Sequence, residues 1–126
     1  MIAEHAEPGS PSLLGRDYWL VRSTPRETTT TGDIERVAGE HVAWLLKLEA
    51  DGLVFLSGPL TSGPGVSAGA GITVLRAGSA EQAAEIAAAD PFVTSGLRTF
   101  EVFGWRVNEG AIQVGLSLGT GRFTWG

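Results

Sequence analysis

The sequence from Asp33 to Pro59, DIERVAGEHVAWLLKLEADGLVFLSGP, joins a helix pattern directly to a strand pattern. Asp33 is suited to cap the start of a helix, and Gly52 is suited to end one. We therefore predict a helix over Asp33–Asp51. Its apolar residues recur at the spacing of one helix face, namely Ile34, Val37, Leu45 and Leu48.

The strand pattern that follows is Leu53–Ser57, LVFLS, closed by Gly58-Pro59. It is a short apolar run without strict alternation, which is typical of a strand covered on both faces. We therefore expect this strand to be central in its sheet.

The flanking sequence supplies the remaining elements. The Ser79–Gln82 tetrad, SAEQ, matches a capping box, so a second helix should begin at Ala80. Further strands are predicted at Asp17–Thr24, Ile72–Ala77, Leu97–Val107 and Ala111–Leu118. The order strand, helix, strand, strand, helix, strand predicts an α+β, ferredoxin-like βαββαβ split sheet with a C-terminal strand extension.

Three segments follow from this order. Residues 1–16 read as a flexible arm, residues 17–108 as the folded domain, and residues 109–126 as a C-terminal β extension. The Gly-rich stretch Gly58–Gly71 has almost no core-forming side chains, and its pattern fits a hairpin connection and a functional lid equally well.

Composition narrows the classes of function. The chain has 126 residues, enough for one compact domain, and no cysteine, which excludes thiolate chemistry and fits a reducing cytoplasm. Its net charge is -5 and its basic residues are scattered, so nucleic acid is not an expected partner. Neither a signal peptide nor an apolar run long enough to cross a membrane is evident, so no membrane association is expected.

Both faces of the predicted strands carry apolar residues. Tyr18 and Leu20 alternate with Trp19 and Val21, whereas two helices can cover only one face of a four-stranded sheet. The second face needs a cover, and face-to-face pairing of two sheets in a homodimer is the simplest one.

His41 is in step with the apolar stripe of the first helix, which points its imidazole toward the sheet. A histidine at such a position can be a buried residue bonded to its neighbours, or an acid/base group that titrates near neutral pH. Spacing alone favours the buried residue.

Asp90 ends the second helix on its inward side and precedes Pro91. The same pattern suits the N-cap of a single helical turn, with proline at the first position. Alternatively, an inward carboxylate could accept a hydrogen bond from His41, fix its tautomer and leave its other nitrogen free to act as a base.

Other sites are poorly supported by the sequence. The spacing of His and carboxylate residues does not suit a metal, and no cofactor motif is placed before a helix as phosphate binding would require. Arg22, on the first strand, could contact an anionic group of a substrate, although a surface ion pair is the commoner role of such a residue.

Four motifs together resemble the YCII-related family: His41-x-x-Trp-Leu, Gly52–Leu60, Ala89-Asp-Pro-Phe-Val-x-x-Gly96, and Val102–Val107. The resemblance implies a dimeric α+β barrel and a catalytic dyad, and the family's His and Asp match His41 and Asp90. Within the second motif, Ser57, Gly58 and Pro59 are expected to contact the substrate together with Arg22.

Our leading hypothesis is a small-molecule enzyme without a cofactor: a lyase, isomerase or cyclase in which His41 moves a proton on a small cyclic or aromatic, polyketide-like substrate and Asp90 orients the imidazole. A relative of this kind is a dehydrochlorinase. The alternatives are a non-catalytic binding or accessory protein and, by fold analogy, a cofactor-free oxygenase.

Overall fold

A computed structural model describes residues 13–126 of the chain. Its helices and strands follow the predicted order, with a short third helix after the second and a sixth strand near the C-terminus. The elements are β1 (Arg16–Pro25), α1 (Thr31–Ala50), β2 (Val54–Pro59), β3 (Gly71–Leu75), α2 (Ala80–Ala88), α3 (Pro91–Thr94), β4 (Arg98–Val107), β5 (Val114–Leu116) and β6 (Phe123–Trp125).

The first four strands form one sheet in the order β2-β3-β1-β4. β3 pairs antiparallel with both β1 and β2. This arrangement confirms the ferredoxin-like α+β fold. It is an open four-stranded sheet within one chain, so a barrel would require a second copy.

β2 lies at the edge of the sheet, so the expectation that it is central was wrong. Its apolar run has another cause. Val54 is buried in the core, and Phe55 stacks on the Tyr18 ring with 4.6 Å between ring centroids. The pairing register shifts between Val54 and Leu56, which marks a bulge of the kind common at sheet edges.

α1 begins at Thr31, two residues earlier than predicted, and a capping box lies at its start. Thr30 is the N-cap, and its hydroxyl accepts a hydrogen bond from the Asp33 N–H at 3.1 Å. The Asp33 carboxylate in turn accepts from the Thr30 N–H at 3.0 Å. Asp33 therefore occupies the third helical position and not the cap itself.

The main core lies between the sheet and the two longer helices. Val21, Val54 and Leu75 of the sheet cluster with Ala83 and Ala87 of α2, and all five are buried. Leu45 and Leu48 of α1 pack against the same cluster. Small residues on α2 let that helix approach the sheet closely.

The Gly-rich segment after β2 is the connection of a β2–β3 hairpin. The Leu60 N–H donates to the Ala70 carbonyl at 3.0 Å, and Ala70 is buried. At Gly69, whose φ is +95°, an added Cβ would lie 2.9 Å from the Ile34 side chain. The end of the connection therefore packs against Ile34 of α1, and the positive φ together with this contact favours glycine there.

Residues 17–106 form one compact unit, and the described residues on either side of it form another. In that second unit β5 pairs antiparallel with β6 as a separate two-stranded sheet. The predicted strand at 111–118 is thus shorter than expected, and most of the predicted arm, residues 1–12, lies outside the described residues. Within residues 13–126 no helix has the length and apolar character needed to cross a membrane.

Candidate active site

α1 and the single turn α3 position the two candidate catalytic side chains. His41 projects from the middle of α1, and Asp90 is the N-cap residue of α3. Pro91 occupies the first turn of α3, where its missing N–H costs nothing. The packing of α1 against α3 brings together residues that are far apart in sequence.

His41 Nδ1 lies 2.7 Å from Asp90 Oδ1. The same oxygen accepts a hydrogen bond from the Phe92 N–H at 2.9 Å. Asp90 is therefore a helix cap and the partner of His41 at once, so the two roles proposed for it are compatible. Because an ionised carboxylate can only accept, this contact requires a proton on His41 Nδ1, and in the neutral tautomer that satisfies it the lone pair is on Nε2.

The imidazole and the carboxylate are both shielded from solvent. The side chains of His41 and Asp90 are 13% and 6% exposed. The imidazole packs on the Phe92 ring, with 4.5 Å between centroids, and Trp44 lies 5.9 Å away on the same helix. These contacts hold the imidazole in one orientation, as a general base requires.

His41 lines a cavity of about 320 Å³ between α1 and residues of β2, β3 and β4. This volume suits a small organic molecule. Its walls are mainly apolar, supplied by residues such as Ile34, Ala38 and Ile72. Other surface cavities have similar volumes, and we favour this one because it places an oriented imidazole beside a buried charge.

That buried charge is Arg98, at the start of β4. Its side chain is 8% exposed, its Nη1 lies 3.8 Å from Asp90 Oδ2, and its guanidinium stands 4.2 Å over the Phe92 ring. Burial lowers the pKa of the Arg98 guanidinium, and the Asp90 charge offsets part of this effect. Arginine remains protonated at neutral pH all the same, so the cavity wall carries a cation.

The remaining predicted residues are divided between two places. Ser57, Gly58 and Pro59 line the same cavity as His41. Arg22 is exposed on β1, where it pairs with Ile72, and it is not a lining residue of this cavity. Among residues 13–126, no cluster of three or more His, Asp or Glu side chains could hold a metal ion.

Arg98 was missed in the sequence, although a signal for it exists. It is in phase with Phe100 and Val102 along β4, and both of those residues pack against the core. Alternation along a strand therefore points the Arg98 side chain inward as well. An arginine in phase with core residues is unusual enough to mark a candidate site.

The sheet, its three helices and the enclosed polar cluster define a small ferredoxin-like α+β domain with a buried histidine-carboxylate pair. The sequence model of the YCII-related domain matches residues 19–106, well over half of the chain. The protein belongs to this family. No curated protein matches the chain significantly.

A solved structure with the same fold is the 5-chloro-2-hydroxyhydroquinone dehydrochlorinase TftG from Burkholderia phenoliruptrix AC1100, in complex with 2,5-dihydroxybenzoquinone. It is 22% identical to this chain, and the TM-score is 0.57. The match covers 70% of this chain and 92% of TftG. At this identity the likeness establishes a shared fold, and function has to be argued from the site.

Proposed function

We propose that this protein is a small-molecule enzyme in which His41 moves a proton and Asp90 orients it. The observation that carries the proposal is the 2.7 Å contact between His41 Nδ1 and Asp90 Oδ1 beside a mainly apolar cavity. It leaves Nε2 as the basic nitrogen available to a substrate.

In the proposed reaction His41 Nε2 removes a proton from a carbon of the substrate. The resulting imidazolium is stabilised by the Asp90 carboxylate, which stays ionised. An isomerase or cyclase returns the proton to another atom, and a lyase expels a leaving group from the neighbouring carbon. Each of these steps moves only a proton and an electron pair, so the chemistry requires neither a redox cofactor nor a metal.

The proposed substrate is a small cyclic or aromatic molecule bound between α1 and the hairpin residues Ser57, Gly58 and Pro59. The mainly apolar walls favour a flat ring, and TftG acts on a chlorinated hydroxyhydroquinone and binds a dihydroxybenzoquinone. Arg22 is not assigned to this cavity. A second copy of the chain, packed on the face of the sheet that lies opposite the helices, would complete a dimeric α+β barrel. We call this face the free face of the sheet.

Proton exchange tests this proposal even while the product of the reaction is unidentified. Hydroxylated aromatics and enolisable cyclic ketones are incubated with the protein in deuterated buffer, and isotope incorporation and turnover are followed by NMR. We expect the wild type to catalyse exchange or conversion of at least one ring compound, and His41→Gln to catalyse neither. If ring compounds bind without exchange or conversion, the protein is a binding module instead.

A further inference from the structure

Arg98 is a buried cation whose hydrogen-bonding capacity is largely unused. Its Nε is buried and has no hydrogen-bond partner. Its closest carboxylate oxygen, Asp90 Oδ2, is 3.8 Å from Nη1, which is too long for a hydrogen bond. A guanidinium has five N–H donors, so most of its donor capacity remains available.

Asp90 satisfies this cation only in part, because its Oδ2 lies beyond hydrogen-bond distance of Arg98 Nη1. Its Oδ1 already receives the Phe92 N–H and faces His41 Nδ1. Burying a charge whose hydrogen-bond donors are mostly unpaired is costly, and such residues are found where a ligand supplies the acceptors. The unpaired donors of Arg98 therefore favour an anionic ligand in this cavity.

The space beside Arg98 is open to the cavity. Arg98 and His41 line the same cavity, and so does Gly71, at the start of β3. A Cβ added at Gly71 would lie 3.8 Å from Arg98 Nη2. The atom closest to such a Cβ is the Gly58 carbonyl oxygen, at 3.3 Å, so the glycine also fits the close approach of β2 and β3. With no side chain here, Nη2 is not covered from this side, and the Phe92 ring supports one face of the guanidinium at 4.2 Å.

We propose that Arg98 is a binding residue for an anionic oxygen of the substrate, so that the enzyme takes small ring compounds with an ionised oxygen. This inference rests on the proposed function, whose substrate class it narrows. Two sources offer the same chemistry: a carboxylate that is ionised before binding, and the acidic hydroxyl of an enol, phenol or hydroxyquinone.

The position of Arg98 suits the proposed proton transfer. Removing a proton from a ring carbon places negative charge on a conjugated oxygen. A fixed cation at that oxygen stabilises the charge as it develops, without needing to reorganise. His41 and Arg98 share Phe92 and Asp90 as neighbours, so the base and the cation act on one bound molecule.

The test compares charged and neutral ligands with the same ring by isothermal titration calorimetry. The hydroxyquinone pair is dihydroxybenzoquinone and its neutral dimethyl ether, and the carboxylate pair is benzoate and benzamide. The proteins are the wild type, Arg98→Gln and Arg98→Lys. Arg106→Gln is the matched control, because Arg106 lies on the same strand with its side chain exposed and paired with Asp17.

We expect the wild type to prefer the anion of at least one pair, and the preferred pair identifies the source of the charge. Arg98→Gln should lower the affinity for that anion about tenfold or more, and the affinity for the neutral ligand of the pair should stay within about twofold of the wild type. Arg98→Lys should lower the affinity for the anion less, since lysine keeps the positive charge but lacks the planar guanidinium with its paired N–H donors. Arg106→Gln should bind every ligand as the wild type does.

A wild type that prefers neither anion would overturn the inference, and so would an Arg98→Gln variant that binds the anion normally. Equal weakening of the charged and neutral ligands would assign Arg98 a structural role only. The proposed function is tested separately by the exchange and turnover experiment, since ligand binding does not require proton transfer. If anion binding depends on Arg98 but no compound is turned over, the anion site is supported and the catalytic role of His41 and Asp90 is contradicted.

Discussion

Asp90 Oδ1 contacts both His41 Nδ1, at 2.7 Å, and the Phe92 N–H, at 2.9 Å. One oxygen thus connects the imidazole on α1 to the first turn of α3. The hydrogen bond from the Phe92 N–H holds the Asp90 carboxylate in place, and the carboxylate in turn orients the His41 imidazole. The His41 imidazole is consequently oriented by a local feature of the chain that is 49 residues away in sequence.

The cap function of Asp90 predicts a difference between two substitutions. Asp90→Ala removes the acceptor for the Phe92 N–H and for His41, so it should lower the free energy of unfolding by about 1 to 3 kcal/mol. Asp90→Asn removes the charge beside Arg98 but keeps an acceptor oxygen at the cap, so its loss of stability should be smaller than that of Asp90→Ala, which removes both. Urea unfolding of both variants measures the difference. Equal losses would show that the cap is not what holds α3.

The hairpin connection predicts a position-specific effect of alanine. Gly69→Ala combines a positive φ with a 2.9 Å approach to Ile34, so it should destabilise the protein by about 2 to 3 kcal/mol. Gly65→Ala is the control, since its φ is +71° and no atom lies within 4 Å of the added Cβ. That variant should lose only about 1 kcal/mol. Similar thermal unfolding of the two variants would contradict the close packing of the connection on α1.

The capping box of α1 predicts a pH-dependent contribution to stability. The hydrogen bond from the Thr30 backbone N–H lowers the pKa of the Asp33 carboxyl below its ordinary value of 3.8, and the hydrogen bond from Arg36 lowers it further. A depressed pKa in the folded state stabilises the fold above the unfolded value, and this stabilisation is lost as the pH falls through the folded pKa. Asp33→Asn should therefore melt below the wild type at neutral pH, with a difference that vanishes well under pH 3.8.

Glu35→Gln is the control for this prediction. Glu35 is exposed on the same helix and takes no part in the capping box. Its melting temperature should differ little from that of the wild type at either pH. A melting difference for Asp33→Asn that persists unchanged in acid would contradict the assigned role of the Asp33 carboxylate.

The free face of the four-stranded sheet predicts a homodimer. This face carries an apolar surface around Leu20, Leu56 and Trp105, and the Trp105 side chain is partly exposed within one chain. Light scattering at micromolar protein should give twice the chain mass, and Trp105→Glu should shift the protein toward a monomer. Ala88→Glu adds the same charge to an exposed position of α2 and should remain dimeric. A wild type that stays monomeric at high concentration would rule out this interface.

Much of the fold could be predicted because its signals are local. The Ser79 cap places the start of α2 at Ala80, and the Asp90-Pro91 pair places the turn α3. The order of the strands could not be predicted in the same way. The side chains of a strand indicate which of its faces are covered, but they do not indicate which strands lie beside it. The apolar run of β2 was therefore compatible with an edge position, where Phe55 finds Tyr18 as a partner.

The candidate site was only partly accessible to sequence reasoning. His41 and Asp90 could be singled out because each carries a polar group on an inward position, but their contact depends on how α1 packs against α3. Spacing in sequence does not encode that packing. Arg98 could have been found from its alternation with Phe100 and Val102, whereas the absence of a partner for its Nε is a property of the assembled cavity.

Turnover measured together with thermal unfolding tests the proposed dyad most directly. Once a substrate is identified, the wild type is compared with Asp90→Asn and with His41→Gln, which keeps a polar side chain that cannot titrate. We expect both variants to fold and bind the substrate, with kcat reduced by about two to four orders of magnitude, since Asp90→Asn loses the stabilised imidazolium and His41→Gln loses the base. Folded variants that retain kcat near the wild-type value would contradict the dyad.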